Sequence, residues 1–402
     1  METRKPFSSA ETREKESTKW HIILLLWGAG ILAAMQFAKF SITYDSLINH
    51  YTSGPGAMGI ALSIVGIVGL FLGSTAGVLV GRIGFKKVLV GSLLLGGILS
   101  ILQAQTPPLT LLVFSRALEG LSHLGIVVAA PILIVMNSGK SHQAIAMGLW
   151  GTFFGVGYAV AGWLGLQFIE LFGFQSIYVI HGLAMFTLAT VFMLLLKVKR
   201  AEVEGFSLRL FITNLPKDLR QVYSNPRTCF PAIIFLFHAL IFVALLTFLP
   251  KLAGDQKMTD WLTVVLPLVS MAGTFIAGFI SQYLLSPKTL AKLSFIGISV
   301  CMLLIHIYAD SFKVLPILCI GTMLCSGLVQ GAAFALIPLM TKNEFEQSNS
   351  IGAIAQLGNL GATVGSPLIA MAFAQFMTLG MAAVVIVICG FGIVSAYLAR
   401  KY

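Results

Sequence analysis

The sequence predicts an all-α membrane protein of twelve transmembrane helices, and three observations carry that expectation. Of 402 residues, 57% are hydrophobic and only 10% charged, with a mean hydropathy of +0.92, more apolar surface than a water-soluble core of this size could bury. Apolar windows recur along nearly the whole chain at or near the roughly twenty residues that one bilayer crossing needs. The longest charge-free stretch, 347–399, holds two of them. Their length selects helices over strands, because hydrocarbon leaves no backbone polar group unpaired and the short alternating segments of a membrane barrel do not occur.

Taken in order, the first nineteen residues are polar and mixed in charge, which predicts a disordered cytoplasmic tail over 1–19. The apolar run that follows lacks a cleavage-like site and is long enough to remain as a span. Spans are expected at 20–48, 56–80, 88–104, 108–137, 143–168 and 175–196, then at 229–250, 262–285, 290–308, 314–340, 350–374 and 378–399. The one long connection divides the chain into two six-helix bundles, 20–196 and 229–402, joined by a cytoplasmic linker at 197–228. In that linker Phe206, Leu208, Leu210, Phe211, Leu215 and Leu219 alternate with basic residues. It reads either as a short helix on the anionic inner leaflet or as a solvated connector broken by Pro216.

A net charge of +11 does not point to nucleic acid once its distribution is followed. With the N-terminus in the cytoplasm, every Lys and Arg falls on the inner side except Lys251, Lys257 and Lys313 in outward loops and Lys39 and Arg116 within spans. This is the bias that orients helical membrane proteins, and an even number of spans then puts both termini in the cytoplasm. The five cysteines show no disulfide-framework spacing, so free thiols are expected. Compact loops without an Asn-x-Ser/Thr sequon favour a bacterial inner membrane. No metal-binding helix motif, phosphate-cradling loop or nucleophile with its base is present, so neither an enzyme nor a cofactor is expected. Filter loops and charged rings of a channel are lacking too.

Two local patterns resemble a known family. After the second span the chain reads Gly77-Val78-Leu79-Val80-Gly81-Arg82-Ile83-Gly84-Phe85-Lys86-Lys87, which is similar to the loop signature of the major facilitator superfamily. Gly77, Arg82, Gly84 and Lys86 match, while Gly81 stands where the signature has aspartate. Glycines allow the tight turn, and the cations hold the loop at the inner surface, where they can face the negative end of a helix. In the fourth span Arg116-Ala117-Leu118-Glu119-Gly120 resembles a second pattern of that family, an arginine, two residues, a polar residue and a glycine. The resemblance implies two six-helix bundles rocking about a central site, with Arg116 in the proton-coupling machinery.

The residues themselves support a site there. An arginine this deep in a span is costly unless it faces a partner or water, and Glu119 and His123 follow it along one helix face. Opening and closing of a cavity around Glu119 would load and release a proton. In the first span Gln36, Lys39 and Thr43 share a face, with Asp45 just beyond. Because the resemblance places the first and fourth helices along one cavity, Lys39 and Arg116 are expected near each other, a pair of cations suited to an anionic, carboxylate-bearing solute. Lys39 has two other readings, snorkelling to the outer interface or pairing with Asp45.

Polar groups in the second half are neutral: His238, Gln330, Gln356 and Asn359 are the candidates for substrate hydrogen bonds, or else bridges between helices. Spaced glycines in the fifth span (Gly151, Gly155, Gly157, Gly162) and the eleventh (Gly358, Gly361, Gly365) predict close helix packing. The expectation is therefore a monomeric secondary transporter that imports a small anionic solute with protons. A proton-linked exporter of drugs or metabolites, and a receptor built like a transporter, are the alternatives; the missing proline and closing glycines of an antiporter-like motif at Val156, Ala159 and Val160 weigh against export.

Overall fold

In the computed structural model, residues 18–73, 76, 80, 83–139, 142–196, 219–220, 222–309, 311–342 and 344–399 are described. Positions 1–17 of the expected tail, 197–218 of the linker with its Pro216, and Gly77, Gly81 and Arg82 of the loop signature lie outside the described residues. Those that are described form helices throughout, and among them eleven are long and apolar enough to cross a membrane.

The first crossing is α1 (Trp20–Ile42), continued by α2 (Tyr44–Tyr51). They part at Thr43, whose hydroxyl donates to Lys39 O at 2.6 Å; such back-bonding competes with the helix ladder and bends it. The second crossing starts with proline at the first turn of α3 (Pro55–Ser63), passes through a 3₁₀ turn at Ile64–Gly66 and ends in α4 (Ile67–Leu72). Gly84, at φ +104°, opens α5 (Phe85–Ala104), a backbone angle that a side chain would strain. α6 (Leu109–Met136) is unbroken. The fifth crossing is segmented into α7 (Gln143–Gly151), α8 (Phe153–Val160), a π turn at Ala161–Gly165 and α9 (Leu166–Phe172), and α10 (Gln175–Leu195) follows.

In the second half α11 (Pro226–Phe248), α12 (Gln256–Tyr283) and α13 (Pro287–Ile307) each begin behind a side-chain cap, from Asn225, Asp255 and Ser286. A short 3₁₀ turn, Pro250–Ala253, links the first two of these. α14 (Val314–Met340) and α15 (Glu344–Leu398) complete the chain. α15 is broken at Met377, with φ 50° and ψ −131°, and the helix on either side is long enough for one crossing at about twenty residues each. The expected boundaries therefore agree with the observed ones to within a few residues at most ends.

Helix α1 packs on α6, α8 and α10, with α5 on α6 and α10; in the second half α14 and α15 pack on each other and each on α11 and α13, with α12 on α14. Two seams join the halves: α3 and α4 against α15, and α8 with the π turn against α12. Glycine makes both seams close. A Cβ at Gly59 would lie 2.6 Å from Pro367 Cα, one at Gly66 2.5 Å from Thr363 Oγ1, and one at Gly162 2.9 Å from Thr263 Cγ2. The predicted role of the spaced glycines holds at every position except Gly151, which faces open space.

Candidate functional site

The first half buries three charges in one place. Lys39 on α1, and Arg116 and Glu119 on α6, each have 0% exposure. Lys39 Nζ lies 2.7 Å from Glu119 Oε1, and Arg116 Nη1 donates to Glu119 Oε2. One carboxylate thus holds two cations, the arginine from one turn back on its own helix and the lysine from across the bundle. Arg116 also donates from Nε to Ala61 O at 2.8 Å and from Nη2 to Leu62 O at 3.0 Å. Those carbonyls sit where α3 gives way to the 3₁₀ turn and the helix ladder changes its register. Phe40 covers the guanidinium, its ring centre 3.9 Å away, a cation–π contact. Thus Lys39 neither snorkels outward nor pairs with Asp45, and in this arrangement Arg116 points its donors at backbone and Glu119 rather than offering a free fork.

A polar shell that the sequence reading missed completes the cluster. Ser100 and Gln103 from α5 and His181 from α10 are all buried. Lys39 Nζ reaches Ser100 Oγ at 2.9 Å and His181 Nδ1 at 3.4 Å, and Gln103 Nε2 donates to Glu119 Oε2 at 2.9 Å. His181 could have been found by the rule applied to Arg116, since an ionisable side chain inside an apolar span is a candidate by default. Ser100 and Gln103, three residues apart, carried only the weaker signal of a shared helix face.

Other expected site residues fall elsewhere. His123, one turn past Glu119, sets Nδ1 3.2 Å from Ala33 O and its ring edge-on to Phe37, and is not bonded to the ions. Gln36 donates to Ser122 Oγ at 2.8 Å, while its Oε1 is buried without a hydrogen-bond partner among the described residues. Asp45 is apart from the cluster, at the end of the molecule beyond Thr43, where Lys251 Nζ lies 2.5 Å from its Oδ1 and joins the two halves. His238 meets Ser326 Oγ at 3.2 Å. Gln330 is half-buried on α14. Gln356 donates to Leu70 O at 2.7 Å across the α4–α15 seam and accepts from Tyr223 at 2.9 Å, and Asn359 packs against Gly69 in that seam. Of the loop signature, Gly84 takes its positive φ, and Lys86 Nζ donates to Met193 O at 3.0 Å, near the C-terminal end of α10, where a cation is favoured.

Between the halves runs a row of rings. Phe154 on α8 lies 6.1 Å from Phe37, 5.2 Å from Tyr158 and 5.8 Å from Phe242 on α11, and Phe242 lies 4.9 Å from His238. The Tyr158 hydroxyl is buried with no hydrogen-bond partner among the described residues.

Residues 26–366 match the family model described as Major Facilitator Superfamily. The chain belongs to the major facilitator superfamily. Membership makes it a multi-pass membrane transporter and not an enzyme. Among curated superfamily relatives, the chain is 25% identical to the 3-(3-hydroxy-phenyl)propionate transporter of Escherichia coli strain K12 over 92% of this chain and 89% of that protein. It is 31% identical to the 4-hydroxybenzoate transporter PcaK of Pseudomonas aeruginosa over 43% of this chain and 39% of that one. Among solved structures, a bacterial homologue of the human lysosomal transporter Spinster, inward-facing and occupied, superposes with a TM-score of 0.74 at 14% identity, covering 96% of this chain and 97% of that one. At that identity the likeness speaks for the superfamily fold alone.

Proposed function

We propose that this chain is a proton-coupled importer of an aromatic carboxylic acid. The observation that carries the reading is the sealed cluster of Lys39, Glu119 and Arg116, which holds two cations against one carboxylate. A buried surplus of positive charge favours an anionic partner, and a buried cluster of two cations and a carboxylate is a place where proton occupancy can be coupled to opening. The two curated relatives are transporters of hydroxylated aromatic acids by name, which supports that substrate class here. Rings from Phe37, Phe154, Tyr158 and Phe242 lie in a row where the halves meet and suit a planar ring, and the Tyr158 hydroxyl, without a partner among the described residues, suits a ring substituent that hydrogen-bonds.

In this reading the chain makes twelve crossings, counting α15 as two about Met377. Bundles of six span 20–196 and 229–402, with 197–228 as a cytoplasmic linker and both termini in the cytoplasm of a bacterium. The monomer is the working unit. The bundles rock about the seams to expose the site to each side in turn. Lys39, Arg116 and Glu119 form the coupling machinery, while His238 and Tyr158 contribute to choosing the substrate. Lys86 and Gly84, with Gly77 and Arg82, belong to the inner gating loop.

Uptake into liposomes holding the purified protein tests the reading. With acid outside, 4-hydroxybenzoate and 3-(3-hydroxyphenyl)propionate should accumulate, and aliphatic sugars and cationic drugs should not. Proton-driven extrusion of a cationic drug, with no uptake of either acid, would replace this reading by that of an exporter.

A further inference from the structure

The charge count of the cluster identifies which group can carry the proton. Among the described residues, Lys39, Arg116 and Glu119 are the buried Lys, Arg, Asp or Glu side chains, so the fully ionised cluster bears one positive charge in excess. An uncompensated charge away from water is costly, and a protein relieves it by a counter-ion or by a change of protonation. Arg116 cannot give way, because a guanidinium keeps its proton in proteins. Glu119 has both oxygens engaged by donors, Oε1 by Lys39 and Oε2 by Arg116 and Gln103, and protonating it would raise the surplus from one charge to two.

Lys39 remains. Its ammonium has three hydrogens and three acceptors: Glu119 Oε1 at 2.7 Å, Ser100 Oγ at 2.9 Å and His181 Nδ1 at 3.4 Å. The Ser100 hydroxyl has two acceptors in reach, Tyr178 O at 2.8 Å and His181 Nδ1 at 3.0 Å, and with either one its oxygen is left to accept from the lysine. His181 Nε2 lies 2.9 Å from Leu32 O; a carbonyl can only accept, so that nitrogen carries the ring proton and Nδ1 offers a lone pair. A neutral amine would keep its bonds to Glu119 and Ser100 and give up the longest contact, to His181. The titratable and charged groups facing Lys39 are therefore Glu119 and Arg116 from α6 and His181 and Tyr178 from α10, the Tyr178 ring centre 5.2 Å from Nζ.

We propose that Lys39, rather than Glu119, takes up and releases the coupled proton, and that the site closes only when electrically balanced: protonated Lys39 with the substrate's carboxylate, or neutral Lys39 with no substrate. The inference rests on the reading of the chain as a proton-coupled importer of carboxylic acids. In each cycle the loaded form opens inward, the carboxylate leaves, and an N–H bond of Lys39 breaks with its electron pair staying on nitrogen and the proton passing to water. The neutral site then returns and takes a proton and an anion from outside. One proton moves with one carboxylate, so net transport carries no charge.

Liposomes with radiolabelled 4-hydroxybenzoate give the test, with exchange of internal for external substrate and net accumulation measured separately. Wild type should exchange, should accumulate under a pH gradient, and should not accumulate under a membrane potential alone. Lys39→Arg, always charged, should keep exchange, which needs only the loaded form, and lose accumulation to the level of protein-free liposomes. Lys39→Gln should lose both, because the bound anion is then unbalanced. The inference is overturned by accumulation or absent exchange in Lys39→Arg, by exchange in Lys39→Gln, or by potential-driven accumulation in wild type; accumulation in Lys39→Arg would make Glu119 the carrier. Wild type that neither exchanges nor accumulates 4-hydroxybenzoate or 3-(3-hydroxyphenyl)propionate overturns the functional reading and this inference with it.

Discussion

The two halves of the molecule share an architecture of apolar helices but are held together by different chemistry. In the first half the helix interior is organised by ions: α1, α3, α5, α6 and α10 all send groups to the Lys39–Glu119–Arg116 cluster. In the second half the buried polar side chains are His238, Gln356 and a set of serines and threonines, with no Lys, Arg, Asp or Glu among the described buried residues. There the helices approach through glycine. A Cβ at Gly327 would lie 1.9 Å from Ser270 O, one at Gly331 2.5 Å from Thr274 O, and one at Gly365 1.8 Å from Leu240 O. A half built on paired charges can respond to a proton or an anion, whereas backbone contact through glycine carries no charge to titrate.

The sharpest way to break this contrast is to remove the carboxylate. Glu119→Leu leaves two buried cations sharing a dry site and should destabilise the protein by about 3–5 kcal/mol, the range for breaking a buried ion pair. Unfolding in detergent measures it, and transport should vanish as well. A loss no larger than that of an ordinary surface substitution would mean that water reaches the cluster and that the first half is not organised by it.

The matching experiment in the second half is steric. Gly327→Val would drive α12 and α14 apart, because the contacting atom is the backbone oxygen of Ser270 and has nowhere to go. Overpacking of this kind costs about 1–3 kcal/mol. The same unfolding assay should rank it below Glu119→Leu, and its effect should not depend on pH or on the presence of a carboxylic acid.

How far each half was legible in sequence follows from the same contrast. Arg116 and Glu119 stand out because charge inside an apolar run is costly, so the cluster's centre could be located without a structure. Its third member, Lys39, was seen but left with three readings, since a lysine's long stem lets it reach outward, to Asp45 or inward, and only the packing of α5 and α10 decides. His181 was open to the same rule yet passed over. In the second half the span positions were legible from hydropathy alone, but which neutral side chain faces which neighbour was not: Gln356 and Asn359, read either as substrate contacts or as bridges between helices, lie in the seam of α15 with α4. The loop glycines show the limit of pattern, because Gly84 can be explained by its φ, whereas nothing in the spacing fixes what Gly81 does in place of an acid.

A smaller effect should separate selection of substrate from coupling. His238 on α11 bonds to Ser326 and touches Phe242 in the row of rings. His238→Ala forfeits one buried hydrogen bond, about 1 kcal/mol. The relative uptake of 4-hydroxybenzoate and 3-(3-hydroxyphenyl)propionate should change, while the pH profile of uptake should not. A shifted pH profile would show that the second half also takes part in coupling, and the division of labour would fail.

The smallest effect is expected where the halves meet through charge at the exposed end. Lys251, in the 3₁₀ turn after α11, holds Asp45 at 2.5 Å and lies over the Tyr44 ring, while Ser41 and Thr247 meet at 2.8 Å beneath them. With Asp45 69% exposed, the pair is worth less than about 1 kcal/mol, so Lys251→Met should barely alter unfolding. Its influence should appear instead in the balance between open and closed forms at that end. Burial holds the Lys251 ammonium below the ordinary lysine range, with Asp45 pulling the other way. The charge that grips Asp45 is therefore complete below that lowered pKa and is lost as pH rises through it. Fluorescent labels on the two sides of the pair should report closure in acid and opening as the solution is made alkaline, with Lys251→Met fixed at the alkaline value throughout. A variant that still closes on acidification would place the pH-sensitive contact with the buried ions instead, and would make Lys251 an ordinary surface lysine.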